Sequence, residues 1–163
     1  MAGTRININF EATAARQSLA GLLSAIQNPA PLLEELGEYT LGSTRDRFKT
    51  QTAPDGSAWA ALQPWYKREK RRNKERILTL NGFLRSQLVW QMVGERTVEV
   101  GSNLVHAAIH QFGGVIRPRA GKLLMFRGHV AKSVEIPARP YLGLSKEDER
   151  ELVERTLDWL RTT

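Results

Sequence analysis

The chain has 163 residues, 41% of them hydrophobic, which suffices for one core but is too short for two ordinary domains. It has no cysteine, which excludes disulfides and thiolate metal sites, and its formal net charge is +7. Residues 1–10 lack a signal peptide's basic start and apolar run, and no apolar stretch approaches the roughly 20 residues of a membrane span; a soluble, cytoplasmic protein without a membrane partner is expected.

Arg5 to Phe10 alternates apolar and polar residues, the period of a half-buried opening strand. From Glu11 to Ile26 the period becomes helical, with Ala15, Leu19, Leu22, Leu23 and Ile26 on one face, and Asn28-Pro29 ends that helix. A second helix is predicted from about Ala30 to Phe48. Its Glu34, Glu35 and Glu38 read as a wet face rather than a catalytic or metal cluster, since no histidine lies nearby. Pro54-Asp55-Gly56-Ser57 is turn chemistry. Trp59, Trp65 and Tyr66 follow in a polar connector; they either fold back on the core or anchor a neighbouring subunit.

Lys67, Arg68, Lys70, Arg71, Arg72, Lys74 and Arg76 then crowd into ten positions against only Glu69 and Glu75. Such a field suits nucleic acid or an acidic protein surface, or is simply a solvated loop. Ile77 to Ser86 reads as an apolar turn leading into a short helix. Residues 87–93 and 97–101 form a hairpin around Gly94-Glu95-Arg96. Asn103 is the expected cap of a short helix carrying His106 and His110, and Gly113-Gly114 stops it. Strands are predicted at about 115–117 and 130–136, separated by a projecting basic loop that carries Arg117 and Arg119. Ser145, with Asp148 three positions on, opens a last helix to about residue 161 whose stripe is Leu152, Val153, Leu157 and Leu160.

The expected fold is therefore α+β and a single domain: a helical part at about 11–48, a basic aromatic connector at about 49–76, a sheet region at about 77–143 and the closing helix. The hairpin and the strand near Ile136 are expected to share a small antiparallel or mixed sheet, with about three helices on one face.

No enzyme chemistry emerges from the motifs. His106 and His110 share a helix face, but the glutamate of a metalloprotease signature and a third ligand are missing. No serine sits in a Gly-x-Ser-x-Gly elbow, and no phosphate-cradling glycine loop is present. No cofactor is expected; a nuclease rests on basicity alone. Arg139, held between Ala138 and Pro140, reads as a fixed donor for a carboxylate of its own or a neighbouring subunit.

Pro54-Asp55-Gly56 with Trp59, the basic run, Gly82 to Ser86, Val100-Gly101-Ser102, His110-Gln111-Phe112-Gly113-Gly114 and Pro137-Ala138-Arg139-Pro140-Tyr141-Leu142-Gly143 occur in an order that resembles the phage virion morphogenesis, or tail completion, family. The likeness covers roughly residues 45–160. It implies a structural protein at the virion neck, acting in tail completion or termination and head–tail joining as a homo-oligomeric ring, with a hexamer expected. A head-closure stopper or connector, or a non-specific DNA-binding module, are the alternatives. Implied partners are further copies, the tail tube, head-closure or connector proteins and, transiently, phage DNA. Candidate interface residues are Trp59, Trp65, Tyr66, His110, Phe112, Arg139 and Tyr141. The cations of the basic run, with Arg117 and Arg119, are candidate contacts to DNA or to an acidic partner.

Overall fold

A computed structural model describes residues 12–162; the opening strand expected at Arg5–Phe10 lies outside them. The architecture is α+β, as the hydrophobic periods predict, with six helices and six short strands among the described residues. The frame is a helix on a hairpin. Helix α2 (Ala30–Thr50) lies across strands β1 (Val89–Met92) and β2 (Val98–Gly101), which pair antiparallel with Trp90 opposite Val100 and Met92 opposite Val98. That register puts the four half-buried side chains on one face, toward α2. The helix comes close because Gly37 has no side chain: a Cβ there would stand 2.7 Å from Val98 Cγ2. Trp90 Nε1 donates to Glu38 at 2.7 Å.

Leu41, Phe48, Ala53, Trp59, Leu84, Leu88, Ala107 and Tyr141 form the core. Burying a side chain of the larger kinds among them contributes roughly 1.5–3 kcal/mol. Phe48 sits centrally, its ring 5.3 Å from Trp59 and 5.5 Å from Tyr141. Helix α6 (Lys146–Thr162) rests on α2, and its N-terminus carries the predicted reciprocal cap: Ser145 Oγ accepts from Asp148 N at 3.0 Å, and Ser145 N donates to Asp148 at 2.8 Å.

Four expectations need correction. The strands share no single sheet; they form three separate two-stranded antiparallel ladders. Strand β3 (Gly114–Ile116) pairs with β6 (Val134–Ile136), and a nested hairpin of β4 (Leu124–Phe126) and β5 (His129–Ala131) interrupts them. Its turn is Arg127-Gly128, both at positive φ (48° and 81°), the two-residue geometry that matches strand twist. The predicted strand at 130–136 is thus two strands, and the projecting loop is a β-arm. Nor do three helices share one face. Helix α1 (Thr13–Gln27) buries only Ala25 and leaves Leu19, Leu23 and Ile26 more than half exposed. On α6, Val153 and Leu157 are exposed as well, and the buried residue is Asp148. No helix among the described residues is long and apolar enough to cross a membrane.

Candidate functional site

The two most distinctive motifs meet in one joint. Helix α5 (Ala107–Phe112) begins after His106, with no side-chain cap from Asn103, and ends at Gly113. Gln111 on its last turn pairs with the extended chain opposite: Oε1 accepts from Tyr141 N at 2.9 Å and Leu142 N at 3.0 Å, while Nε2 donates to Leu142 O at 3.0 Å. Arg139 N donates to His110 O at 2.8 Å, and the Tyr141 hydroxyl donates to Ala107 O at 3.2 Å. Pro137 and Pro140 have no N–H to offer, and the amides of Arg139, Tyr141 and Leu142 between and beside them are all bonded to α5. Gly113 lets the strands close up: its φ is 69°, and a Cβ there would lie 2.6 Å from Ala138 N.

Side chains from remote segments lock this joint. Trp59 Nε1 donates to Pro140 O at 2.7 Å. Arg139 is buried, yet it finds no carboxylate; Nε donates to Ala60 O at 2.7 Å and Nη2 to Ala61 O at 3.0 Å. The expected carboxylate pairing is therefore replaced by carbonyls of the connector, which come close because Trp59 is pinned. The buried ion pair is instead Arg47 with Asp148, at 2.5 Å, a pair that sequence patterns alone do not single out. Arg47 Nη1 also donates to Tyr141 O at 2.8 Å and Gly143 O at 2.7 Å. Burial works against the Asp148 charge, but hydrogen bonds from Ser43 and Ser145 and the Arg47 guanidinium hold the carboxyl below its usual value. One signal was available: Arg47 falls three residues after Thr44 and beside Phe48, on the buried face of α2.

Of the candidate interface residues, Trp59, Arg139 and Tyr141 are thus corrected to parts of the chain's own interior, at 4%, 7% and 1% exposure. Phe112 projects outward at 77% exposure. His110, Trp65 and Tyr66 are half-buried and line an open cleft of about 600 Å³. Leu80, Phe83, Ile116, Met125 and Ile136 give it a largely apolar lining, and Phe83 and Met125 are well exposed. Burial pushes the His110 imidazole below its ordinary value, and electrostatic repulsion from neighbouring His106 and Arg139 acts the same way. The rings of His106 and His110 lie 5.7 Å apart, and among the described residues no three His, Asp or Glu side chains converge as a metal site would require.

The basic candidates divide. Lys70 is corrected outright: it is 2% exposed, and its ammonium donates to the carbonyls of Asn73, Arg76 and Thr79, shaping the loop from within. Lys67, Arg68, Arg71, Arg72, Lys74, Arg76, Arg117 and Arg119 are exposed. Helix α3 (Pro64–Glu69), too short for its periodicity to show in the sequence, carries Trp65 against the β-arm. The Trp65 ring lies 4.7 Å from His129 and 6.0 Å from Phe126, His129 Nε2 meets Glu69 at 2.8 Å, and Arg127 stacks over Tyr66 at 5.7 Å. Sixty residues apart in sequence, Glu69 and His129 join two basic segments side by side.

The profile of the phage virion morphogenesis family matches residues 10–161. The chain belongs to that family. It is 32% identical, over 139 aligned positions, to a protein of Escherichia phage Mu named capsid assembly protein G, covering 74% of this chain and 80% of that one. It is also 28% identical over 156 positions to the Mu-like prophage FluMu G protein 2 of Haemophilus influenzae, covering 96% of this chain and 94% of the relative. No solved structure matches. Family membership agrees with the resemblance read from the motifs, and the joint gives those motifs a physical role, because they supply contacts that fold the chain.

Proposed function

We propose that this chain is a structural virion component of a tailed phage that completes or terminates the tail and joins it to the head at the neck, as one subunit of a ring of identical copies, and that it catalyses no reaction. One observation carries the reading. The chain presents an apolar ridge (Leu19, Leu23 and Ile26 on α1) and an open apolar cleft, and no α1 residue lines that cleft. Soluble monomers rarely leave apolar surface of this kind uncovered. Two different, non-overlapping surfaces are what a head-to-tail contact needs, and such contacts generate a ring when the rotation closes. The ridge of one copy seated in the cleft of the next would bury both.

The test uses two variants of the full chain, Leu19→Asp with Leu23→Asp on the ridge and Met125→Asp in the cleft. Each alone should remain monomeric by native mass spectrometry under conditions where the parent protein assembles. Mixed together they should give a dimer, because each retains the surface that the other lacks, and they should go no further. Homo-oligomers of either variant alone would sink the contact. In infected cells, loss of the protein should leave filled heads and unjoined tails, and adding it back should restore particles; complete particles formed without it would end the reading.

A second position in the neck, a head-closure stopper or connector, draws support from the name of the phage Mu relative, which speaks of capsid assembly. The same lysate separates the two. A terminator leaves tails of uncontrolled length, whereas a stopper leaves normal tails and heads that lose their DNA.

A further inference from the structure

The connector and the β-arm form one cationic surface. Residues 67–76 hold seven basic and two acidic residues, and residues 117–132 hold five basic residues with no acidic one. Together they carry ten net positive charges against seven for the whole chain, which leaves everything else only three charges negative. The two carboxylates within the surface are engaged, Glu69 by His129 and Glu75 by Lys67. Arg71, Arg72, Arg76, Arg117 and Arg119 are exposed and pair with no carboxylate among the described residues.

A second copy is a poor match for this field, because its acidic residues are interleaved with basic ones or already paired. Helix α6 carries six acidic residues but also four basic ones, and its Arg155 already pairs with Glu35 and Glu151. The arm is of one sign over its whole length. A uniform polyanion fits better. The exposed cations are mostly arginines, whose planar fork binds phosphate oxygens in pairs.

We infer that residues 67–76 and 117–132 together bind the phosphate backbone of duplex DNA without regard to sequence, and that the Trp65–Phe126–His129 stack makes the two segments act as one site. The stack holds the arm against α3, so a single stretch of duplex meets both sets of cations. Lys70 takes part only as the internal brace of the connector.

Fluorescence anisotropy with a labelled duplex, across a series of salt concentrations, tests this on the purified full chain. Binding should weaken steeply with salt, and each phosphate contact removed should reduce the logarithmic slope by about 0.9. The triple variants Arg71→Gln/Arg72→Gln/Arg76→Gln and Arg117→Gln/Arg119→Gln/Lys122→Gln should each flatten it by roughly two to three. Trp65→Ala keeps every charge yet should bind roughly tenfold more weakly at fixed salt, since the two segments no longer bind as a linked pair. Unchanged melting curves of the glutamine variants keep the comparison valid, because their side chains are exposed. No binding at low salt, or a slope that neither triple variant alters, overturns the inference. So does preferential capture by polyglutamate at matched charge, which would make the partner an acidic protein. The result is independent of the neck assignment: a chain that assembles into rings but ignores DNA defeats this inference alone.

Discussion

The joint around α5 and the β-arm that leaves it are neighbours in the chain, yet they are held together in opposite ways. In the joint, Gln111 is bonded to the backbone of Tyr141 and Leu142, Arg139 to two connector carbonyls, and Arg47 to Asp148 and two further carbonyls, while the buried Nδ1 of His110 has no protein partner among the described residues. In the arm, ladders of three residues are secured by half-buried rings and one ion pair that is more than a third exposed on both sides. Buried polar groups are costly when left unpaired, so the joint stands or fails as a unit. Exposed contacts contribute small increments that can be lost singly. The chain thus combines a frame that keeps its shape with a surface that can give locally without losing the frame.

The severest way to break the frame is Arg47→Met. It strands the Asp148 carboxylate and the Tyr141 and Gly143 carbonyls at once, and removal of one partner of a buried pair costs about 3–5 kcal/mol. The urea midpoint should fall accordingly; an unchanged midpoint would mean that the pair is not held as described. The pH dependence has a definite sign. Because the folded state keeps Asp148 below its unfolded value, its contribution is complete above about pH 4 and is lost as pH falls through the folded value. Without the guanidinium, burial is no longer opposed as strongly, so acid destabilisation of the variant should begin at higher pH than in the parent.

Gln111→Ala is the next test, and it isolates the contact between the two motifs. It leaves two N–H groups and one carbonyl of the 141–142 backbone without their partner, which should cost about 2 kcal/mol after partial rescue by water. The effect should appear in thermal unfolding as a lowered midpoint. Loss of β-arm protection in hydrogen exchange with no change in the midpoint would show that Gln111 serves the arm rather than the joint.

What could be read ahead from the sequence follows the range of the interactions. The Ser145–Asp148 cap, the stop at Gly113 and the 89–101 hairpin are local, and each is visible in a window of a few residues. The Arg47–Asp148 pair spans 101 positions, and Lys70 turns inward only because the next nine residues wrap round it. Lys70 has no local signature and looks like its exposed neighbours, and for Arg47 the one hint is its place beside Phe48 on α2. Helical spacing identified the apolar stripe of α1 correctly, but periodicity states which face is apolar and not whether anything covers it. The break within 130–136 falls at Lys132-Ser133, which carries no Gly or Pro signal, and β4 goes unread because its turn, Arg127-Gly128, adjoins a stretch that reads as loop. For the candidate site, the motifs are legible and their use is not: Trp59, Arg139 and Tyr141 are distinctive because they hold the chain's own core together.

The smallest expected effect is also the one that best separates the two regions. His129→Ala removes an ion pair that is charged only when the imidazole is protonated, together with one ring of the Trp65 stack. Exposed pairs of this kind contribute about 0–1 kcal/mol, and an aromatic contact about as much, so the global urea midpoint should barely move. Amides of β4 and β5 should nonetheless exchange faster with solvent, because the arm opens without the frame. The β1–β2 ladder and α2, which pack chiefly on each other, should keep their protection. A global destabilisation comparable to that of Arg47→Met would show that arm and joint fold as one unit, and the distinction between a rigid frame and an adjustable surface would have to be given up.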